Sequence, residues 1–161
     1  MKVTELNTVD DIRVSLDDHH YIANRSLATS IYLSLKMDKP IFLEGEPGVG
    51  KTEIGKVLAQ VLDTNLIRLQ CYEGLDVHNA IYEWNYSRQI LQIRMMEAEG
   101  QKDKEKISKE IFGSEFLIKR PLYQAIDYDG DDPPVLLIDE LDRADEEFEA
   151  YLLEILSDFQ I

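Results

Sequence analysis

The segment "GEPGVGKT", Gly45 to Thr52, decides the fold of this chain. It fits the pattern G-x-x-x-x-G-K-[ST], in which backbone amides surround a phosphate group. A short apolar run, "PIFLEG", precedes the glycines, and apolar residues at helical spacing follow them. A phosphate-binding loop belongs in that position, between a buried strand and the start of a helix. The pattern therefore favours a phosphate site over an ordinary glycine turn.

Each residue type in this loop has a physical reason. Glycines allow unusual backbone angles and a close approach of the anion, and the first amides of the following helix point at the same charge. Lys51 is predicted to reach the β- and γ-phosphates, and the Thr52 hydroxyl to ligate Mg²⁺. The predicted nucleotide-binding residues are Gly45, Glu46, Pro47, Gly48, Val49, Gly50, Lys51, Thr52 and Glu53.

An acidic pair ends the second apolar run, "VLLIDE", where Asp139 and Glu140 follow a predicted strand. The carboxyl ends of parallel strands border the ligand crevice of such a sheet. Asp139 is therefore predicted to hold Mg²⁺ together with Thr52, and Glu140 to orient and polarise the attacking water. Lys51 and Glu140 are the predicted catalytic residues. The acidic pair indicates hydrolysis of the nucleotide and not binding alone.

ATP is favoured over GTP as the nucleotide. The segment "DYDG", Asp127 to Gly130, matches the D-x-x-G of GTPases, but it follows no predicted strand, and the sequence contains no N-K-x-D segment. It is interpreted as part of the turn-rich loop "DYDGDDPP".

Apolar periodicity predicts the elements on both sides of the phosphate loop. One helix is expected from Ile22 to Lys36 and another after Thr52, each with one buried face. "PIFLEG" is predicted to be a strand buried on both faces of a parallel sheet, and "NLIRLQC" the next strand. Together they predict one βαβ unit with a right-handed crossover. The polar segment 1–19 is interpreted as an N-terminal strand or arm.

Periodicity is less clear in the rest of the chain. "IYEWNYSRQILQIRMMEAEG" is aromatic and then helical, and the charged run "QKDKEKISKE" is interpreted as a solvated helix face or a mobile loop. In the last helix Asp145 is the predicted N-cap. The predicted core face of that helix consists of Phe148, Leu152, Ile155, Leu156 and Phe159.

Composition limits the class of partner. The formal net charge is −15, from 32 acidic and 17 basic residues, which argues against nucleic acid or an anionic membrane as the main partner. No apolar run approaches the roughly 20 residues that a membrane-spanning helix needs. Cys71 is the single cysteine, so a disulfide framework is excluded, and it is interpreted as a small buried hydrophobe. A cytoplasmic location is expected.

Two segments resemble AAA+ ATPases of the MoxR group: "EGEPGVGKTE" and "VLLIDELDRADEEFEAYLLEILSDFQI". The branch found with carbon monoxide dehydrogenase genes is the most similar, and "EFLIKRPLYQAI" also resembles that branch. The resemblance covers Tyr21 to Ile161. It implies the α/β fold of a P-loop NTPase of the AAA+ type, with a parallel sheet and flanking helices.

The resemblance also implies a cofactor and partners. Such proteins form ring oligomers, commonly hexamers, and use ATP and Mg²⁺ to remodel a client protein or to insert a metal cofactor into it. They often work with a protein that carries a von Willebrand factor A domain. By similarity, Tyr21 and Ile22 cover the adenine, and Arg120 and Arg143 serve subunit contacts, although either arginine can equally pair with a nearby acid.

The domain expected from this resemblance is incomplete at its C-terminus. Residues 1–161 are interpreted as the N-terminal part of an AAA+ domain with an insertion in its second helix, within 75–120. In that insertion Trp84, Tyr86 and Arg88 either face a client or the ring pore, or pack the insertion onto the body. The sensor 1 residue, the arginine finger and the helical lid have no counterpart in the sequence. A fragment or one piece of a split protein is therefore expected, with strand edges open to pairing between copies.

The sequence leaves functions of different classes open. The first is an ATPase that drives remodelling of a client, with negligible turnover by the chain alone. The alternative is a nucleotide-binding or assembly module without catalysis. A DNA-associated AAA+ protein is disfavoured by the acidic charge and by the lack of a basic stripe.

Overall fold

The computed structural model describes residues 6–101, 103–130 and 132–158. Within these ranges the chain is an α/β protein. Its helices are α1 Val9–Asp18, α2 Arg25–Met37, α3 Lys51–Leu62, α4 Val77–Ile81, α5 Tyr86–Ala98, α6 Lys104–Ile111, α7 Pro121–Ile126 and α8 Glu146–Asp158. Its strands are β1 Leu66–Gln70, β2 Tyr82–Trp84, β3 Leu117–Lys119 and β4 Val135–Asp139.

The strands β1 and β4 form a parallel pair, in register from Leu66 opposite Val135 to Gln70 opposite Asp139. Both strands are where apolar runs predict them, and their parallel pairing confirms the predicted parallel sheet. Because the pairing is parallel, the carboxyl ends of the two strands lie at the same edge of the sheet. Asp139 therefore lies at the edge where a ligand crevice is expected.

Helix α3 packs closely on β4. A Cβ carbon built on Gly55 would lie 3.2 Å from both methyl carbons of Leu137, so only glycine allows this approach without a shift of the leucine. The apolar residues that predict α3 are buried, among them Ile54, Val57 and Val61. The result is that the first turn of α3 lies beside the end of β4.

Two apolar clusters form the core. The first joins α1, α2 and α3 and contains Leu6, Ile12, Leu16, Ala28, Ile31, Ile54, Val57 and Val61. The second joins the sheet, α4, α7 and α8 and contains Leu69, Cys71, Leu75, Ala80, Ile81, Leu122, Phe148, Leu152 and Ile155. The clusters confirm the predicted buried face of α3 and, on α8, the burial of Phe148, Leu152 and Ile155, whereas Leu156 is only partly buried. Phe159, also predicted on the α8 core face, lies outside the described residues.

The prediction of a strand in "PIFLEG" is wrong. Residues 40–46 have no regular secondary structure, and Phe42 is 75% exposed, while Ile41 and Leu43 pack against the first cluster. A strand depends on hydrogen bonds to a neighbouring strand, and in the described part of the chain β1 pairs with β4 instead. The predicted βαβ unit therefore reduces to α3 followed by β1.

The prediction of an N-terminal strand or arm is also wrong where the structure describes that segment. Residues 9–18 form helix α1, which begins at a capping box. The Thr8 hydroxyl accepts the Asp11 amide at 3.1 Å, and Asp11 Oδ2 accepts the Thr8 amide at 2.8 Å. These reciprocal bonds satisfy amides that the first helical turn leaves without a partner. Ile12 and Leu16 then bury one face of the helix.

The segment from β2 to β3 forms a closed subdomain. The two strands pair antiparallel, Tyr82 opposite Lys119, and enclose α5 and α6. The Trp84 ring meets the Phe112 ring edge-on at 5.3 Å between centroids. The Arg88 guanidinium lies over the Phe116 ring and donates to the Glu115 carbonyl at 3.0 Å. Of the three residues weighed for a client contact, Trp84 and Arg88 make packing contacts, and Tyr86 is 64% exposed.

Candidate functional site

The glycine loop has the backbone shape that the motif requires. Gly48 and Gly50 have φ angles of 83° and 90°, which disfavour any side chain. Gly50 occupies the N-cap position of α3, so no side chain caps that end of the helix. The first amides of α3 and the positive end of its dipole are thus available to an anion.

Lys51 folds back over its own loop. Its Nζ donates to the Gly45 carbonyl at 2.5 Å and to the Glu46 carbonyl at 2.8 Å. Carbonyl oxygens are weaker partners for an ammonium group than a charged phosphate. The Lys51 side chain therefore lies above the loop that the motif assigns to the phosphates, with contacts that a phosphate can replace.

Thr52 and Asp139 meet at the centre of the site. The Thr52 hydroxyl donates to Asp139 Oδ1 at 3.1 Å, and the Asp139 side chain is only 16% exposed. Thr52 lies in the first turn of α3 and Asp139 at the end of β4. Hydroxyl and carboxylate oxygens are the hard ligands that suit Mg²⁺, which also takes phosphate oxygens and waters. The residues present fit a magnesium nucleotide.

Arg68 is a member of the site that sequence reasoning missed. Its Nη2 donates to Asp139 Oδ2 at 2.6 Å and to Gln70 Oε1 at 2.6 Å. Alternation along β1 indicates that Arg68 and Gln70 share one face of the strand. Only the pairing of β1 with β4 places that face beside Asp139. No signal in the sequence gives this pairing.

Glu140 lies one residue beyond the strand and makes a different contact. Its backbone is left-handed, with φ of 55°, and Arg143 Nη1 donates to its carboxylate at 2.8 Å. The structure thus brings Thr52 to Asp139, whereas Glu140 is paired with Arg143. The alternative weighed for Arg143, an ion pair with a nearby acid, is what the structure shows. Arg120 likewise pairs with Glu83.

Tyr21 borders the loop from the other side. Its hydroxyl donates to the Gly50 carbonyl at 3.4 Å, and its ring lies against the position that a Gly50 Cβ would take. Burial raises the pKa of this phenol. The neighbouring Ile22 is 90% exposed. The role in covering the adenine that the resemblance implies for both residues stays a prediction.

Cys71 lies behind the site and is fully buried. Burial, and after it the negative charges of Asp139 and other nearby acids, raise the pKa of its thiol to about 11. Its amide donates to the Asp139 carbonyl at 2.9 Å, which extends the β1–β4 pairing by one bond. A thiol that stays protonated is a poor nucleophile. The interpretation of Cys71 as a small buried hydrophobe is confirmed.

Comparison with known families identifies the domain. Residues 40–161, which include the glycine loop, Asp139 and Glu140, match the AAA domain (dynein-related subfamily). The chain belongs to this AAA family. The match confirms the predicted P-loop α/β fold, and the AAA family supports nucleotide binding and ATP hydrolysis as the general activity. AAA domains typically assemble into rings.

Other comparisons are more limited. The chain is 35% identical over 68 residues to a Lon protease of Clostridium beijerinckii, and the aligned part covers 38% of this chain and 9% of the protease. The match therefore spans a small part of that protein's length. No solved structure gives a significant match. None of the helices in the described residues is both long enough and apolar enough to cross a membrane.

Proposed function

We propose that this AAA domain binds ATP with Mg²⁺ at the loop Gly45–Thr52 and that, in an assembly, it hydrolyses the nucleotide. The observation that carries the proposal is the 3.1 Å hydrogen bond between the Thr52 hydroxyl and Asp139 Oδ1. It joins the phosphate loop to the acidic strand end, although 87 positions separate the two residues. Both halves of the proposed site therefore face one ligand.

The loop supplies the phosphate contacts. Its amides, from Gly45 to Glu53, surround the β- and γ-phosphates, and Lys51 exchanges its carbonyl partners for phosphate oxygens. Thr52 and Asp139, which share a hydrogen bond, would hold the metal ion. Mg²⁺, when bound, neutralises charge on the phosphates. Tyr21 and Ile22 cover the adenine.

Hydrolysis assigns a further role to Glu140. Its carboxylate orients and polarises the attacking water, which requires that it leave Arg143. An arginine from a neighbouring copy is proposed to stabilise the transferred phosphoryl group, an effect worth about 10³–10⁵ in rate in related enzymes. The chain alone is therefore expected to bind ATP and to hydrolyse it very slowly.

The finer role rests on the resemblance to the MoxR group. We propose a ring oligomer, a hexamer, that remodels a client protein or assists its metal-cofactor maturation, with a von Willebrand factor A domain protein as a partner. Tyr86 is one of several exposed apolar residues of the β2–β3 subdomain, with Ile90, Leu91, Met95 and Phe112, that are available to a client. The ion pair of Arg120 with Glu83 links the end of β3 to β2.

A second candidate function is a nucleotide-dependent assembly module without catalysis. The Glu140–Arg143 ion pair favours it, because a carboxylate held by an arginine is not free to act on water. In that case ATP would stabilise contacts between copies and remain intact. Hydrolysis by the assembled protein separates the two functions.

Both candidate functions require ATP to bind at the glycine loop, so a binding measurement tests them together. Binding of a fluorescent ATP analogue is measured with Mg²⁺ for wild type, Lys51→Ala and Lys56→Ala. Lys56 is the matched control, since it lies on the same helix and pairs with Glu53 at the surface. Lys51→Ala is expected to weaken binding at least about tenfold, because a charge-assisted phosphate contact is lost. Equal binding by all three proteins would refute the proposed site.

A further inference from the structure

Asp139 accepts a hydrogen bond on each of its two carboxylate oxygens. Thr52 donates to Oδ1 at 3.1 Å, and Arg68 donates to Oδ2 at 2.6 Å. Arg68 is itself held by Gln70 Oε1 at 2.6 Å. The guanidinium therefore occupies one side of the very carboxylate that is proposed to hold Mg²⁺.

Charge explains why a cation belongs there. The chain carries a net charge of −15, and Asp139 is largely buried beside Glu140. A carboxylate removed from water is costly unless it is paired and hydrogen-bonded. Arg68 supplies both the charge and a hydrogen bond, through its Nη2 atom. A metal ion brings its own positive charge, which makes the guanidinium dispensable once the metal is bound.

We propose that Arg68 is a positioning residue that acts as the counter-ion of Asp139 in the metal-free site and yields the carboxylate to Mg²⁺ when a magnesium nucleotide binds. This inference rests on the proposed nucleotide site and adds a residue to it. The guanidinium and the metal compete for Asp139 Oδ2. Arg68 thereby sets how strongly nucleotide affinity depends on Mg²⁺.

The consequence differs for the two forms of the nucleotide. Without Mg²⁺, the triphosphate faces Asp139 across the site, and Arg68 cancels the repulsion between them. Removal of Arg68 exposes the triphosphate to an unpaired carboxylate, so metal-free ATP binds more weakly. With Mg²⁺, the metal supplies the missing positive charge and no longer competes with the Arg68 guanidinium for Asp139. The affinity for the magnesium nucleotide therefore stays constant or rises. A residue with only a structural role would weaken both forms alike.

The experiment measures the dissociation constant of a fluorescent ATP analogue by the full 161-residue chain, once with Mg²⁺ and once with EDTA. The ratio of the EDTA value to the Mg²⁺ value is expected to rise about tenfold in Arg68→Met, as like charges near a protein surface imply. Arg68→Lys keeps the charge and is expected to stay within about threefold of the wild-type ratio. Arg13→Met is the matched control, because Arg13 and Arg68 side chains are both 48% exposed and both pair with an aspartate.

A double variant makes the test specific to Asp139. In an Asp139→Asn background no charge remains to be balanced, so Arg68→Met is expected to leave the ratio unchanged. Arg68→Gln allows the measurement if Arg68→Met does not fold. An unchanged ratio in Arg68→Met or Arg68→Gln, with wild type binding normally, would overturn the role of Arg68 alone. Failure of wild type to bind either form in a Lys51-dependent way would overturn the nucleotide site, and this inference with it.

Discussion

Gly55 of α3 lies directly against Leu137 of β4, where an added Cβ carbon would be 3.2 Å from each leucine methyl carbon. Gly55 is one helical turn from Thr52, and Leu137 is two residues before Asp139. The close approach of helix and strand at this point is what allows Thr52 to reach Asp139. A packing contact in the core thus sets the geometry of the candidate site.

Gly55→Val is expected to separate α3 from β4. A Cβ carbon at this position already requires Leu137 to shift, so the larger valine overpacks the contact, and overpacking of this kind costs about 1–3 kcal/mol of unfolding free energy. ATP affinity should fall together with stability, because the Thr52–Asp139 distance grows. Urea denaturation and nucleotide titration measure the two effects. Leu137→Ala in the same chain vacates volume and should recover part of the lost stability and of the lost ATP affinity. If Gly55→Val alone lost neither stability nor affinity, the Gly55–Leu137 contact would not set the geometry of the site.

Thr52→Val is expected to weaken binding of the magnesium nucleotide. The substitution keeps the shape of the side chain and removes the hydroxyl, which leaves Asp139 Oδ1 without its donor and the metal without a ligand. A loss of about tenfold in affinity with Mg²⁺ is expected, and a smaller loss with EDTA. Thr52→Ser keeps the hydroxyl and serves as the control. If Thr52→Ser were impaired as strongly as Thr52→Val, keeping the hydroxyl would not be enough for binding, and the proposed role of the hydroxyl would be contradicted.

The sequence predicts those parts of the fold whose signals are local. Helix α3 and strand β4 follow from periodicity and from a continuous apolar run, and the Asp145 N-cap is confirmed by its 2.9 Å bond from the Phe148 amide. Helix α1 could also have been predicted, since Thr8 and Asp11 have the spacing of a capping box. The polar composition of that segment led instead to the prediction of a strand or arm.

Features that depend on strand pairing were not predictable. An apolar run such as "PIFLEG" becomes a strand only if a neighbour accepts its hydrogen bonds, and a single sequence does not show which strands are neighbours. The contact between Arg68 and Asp139 was not predictable for the same reason, because it depends on β1 and β4 being adjacent and in register. The need for a glycine at position 55 was not predictable either, because it comes from the close contact with Leu137 on another element.

Glu140→Gln is expected to separate binding from hydrolysis in the assembled protein. Glutamine keeps the size of the side chain but cannot polarise water, so the hydrolysis rate should fall by about 10²–10⁴ while ATP affinity changes little. Glu147→Gln, in the first turn of α8 and exposed, is the control. Phosphate release and equilibrium binding are the measurements. Unchanged hydrolysis in Glu140→Gln would favour the assembly module, or a different base.

Cys71→Ala is expected to change how stability depends on pH. Burial raises the pKa of this thiol from 9.0 to about 11, so between these values the folded chain binds more protons than the unfolded chain. The contribution of the neutral thiol is therefore present below pH 9 and is lost as the pH rises through about 11. The alanine variant has no such loss. It should be less stable than wild type at pH 7, by about 1 kcal/mol, and the gap should narrow in alkaline solution.

Urea denaturation of both proteins from pH 7 to pH 11 (roughly half-unit steps) isolates this effect. Burial also raises the pKa values of Tyr21 and Tyr151, but both proteins contain these phenols, so their contributions cancel in the difference. A thiol reagent applied to the native chain near pH 8 should react slowly, since the thiolate is scarce and the side chain is covered. A gap that stays constant with pH, or rapid labelling, would mean that Cys71 is reached by water.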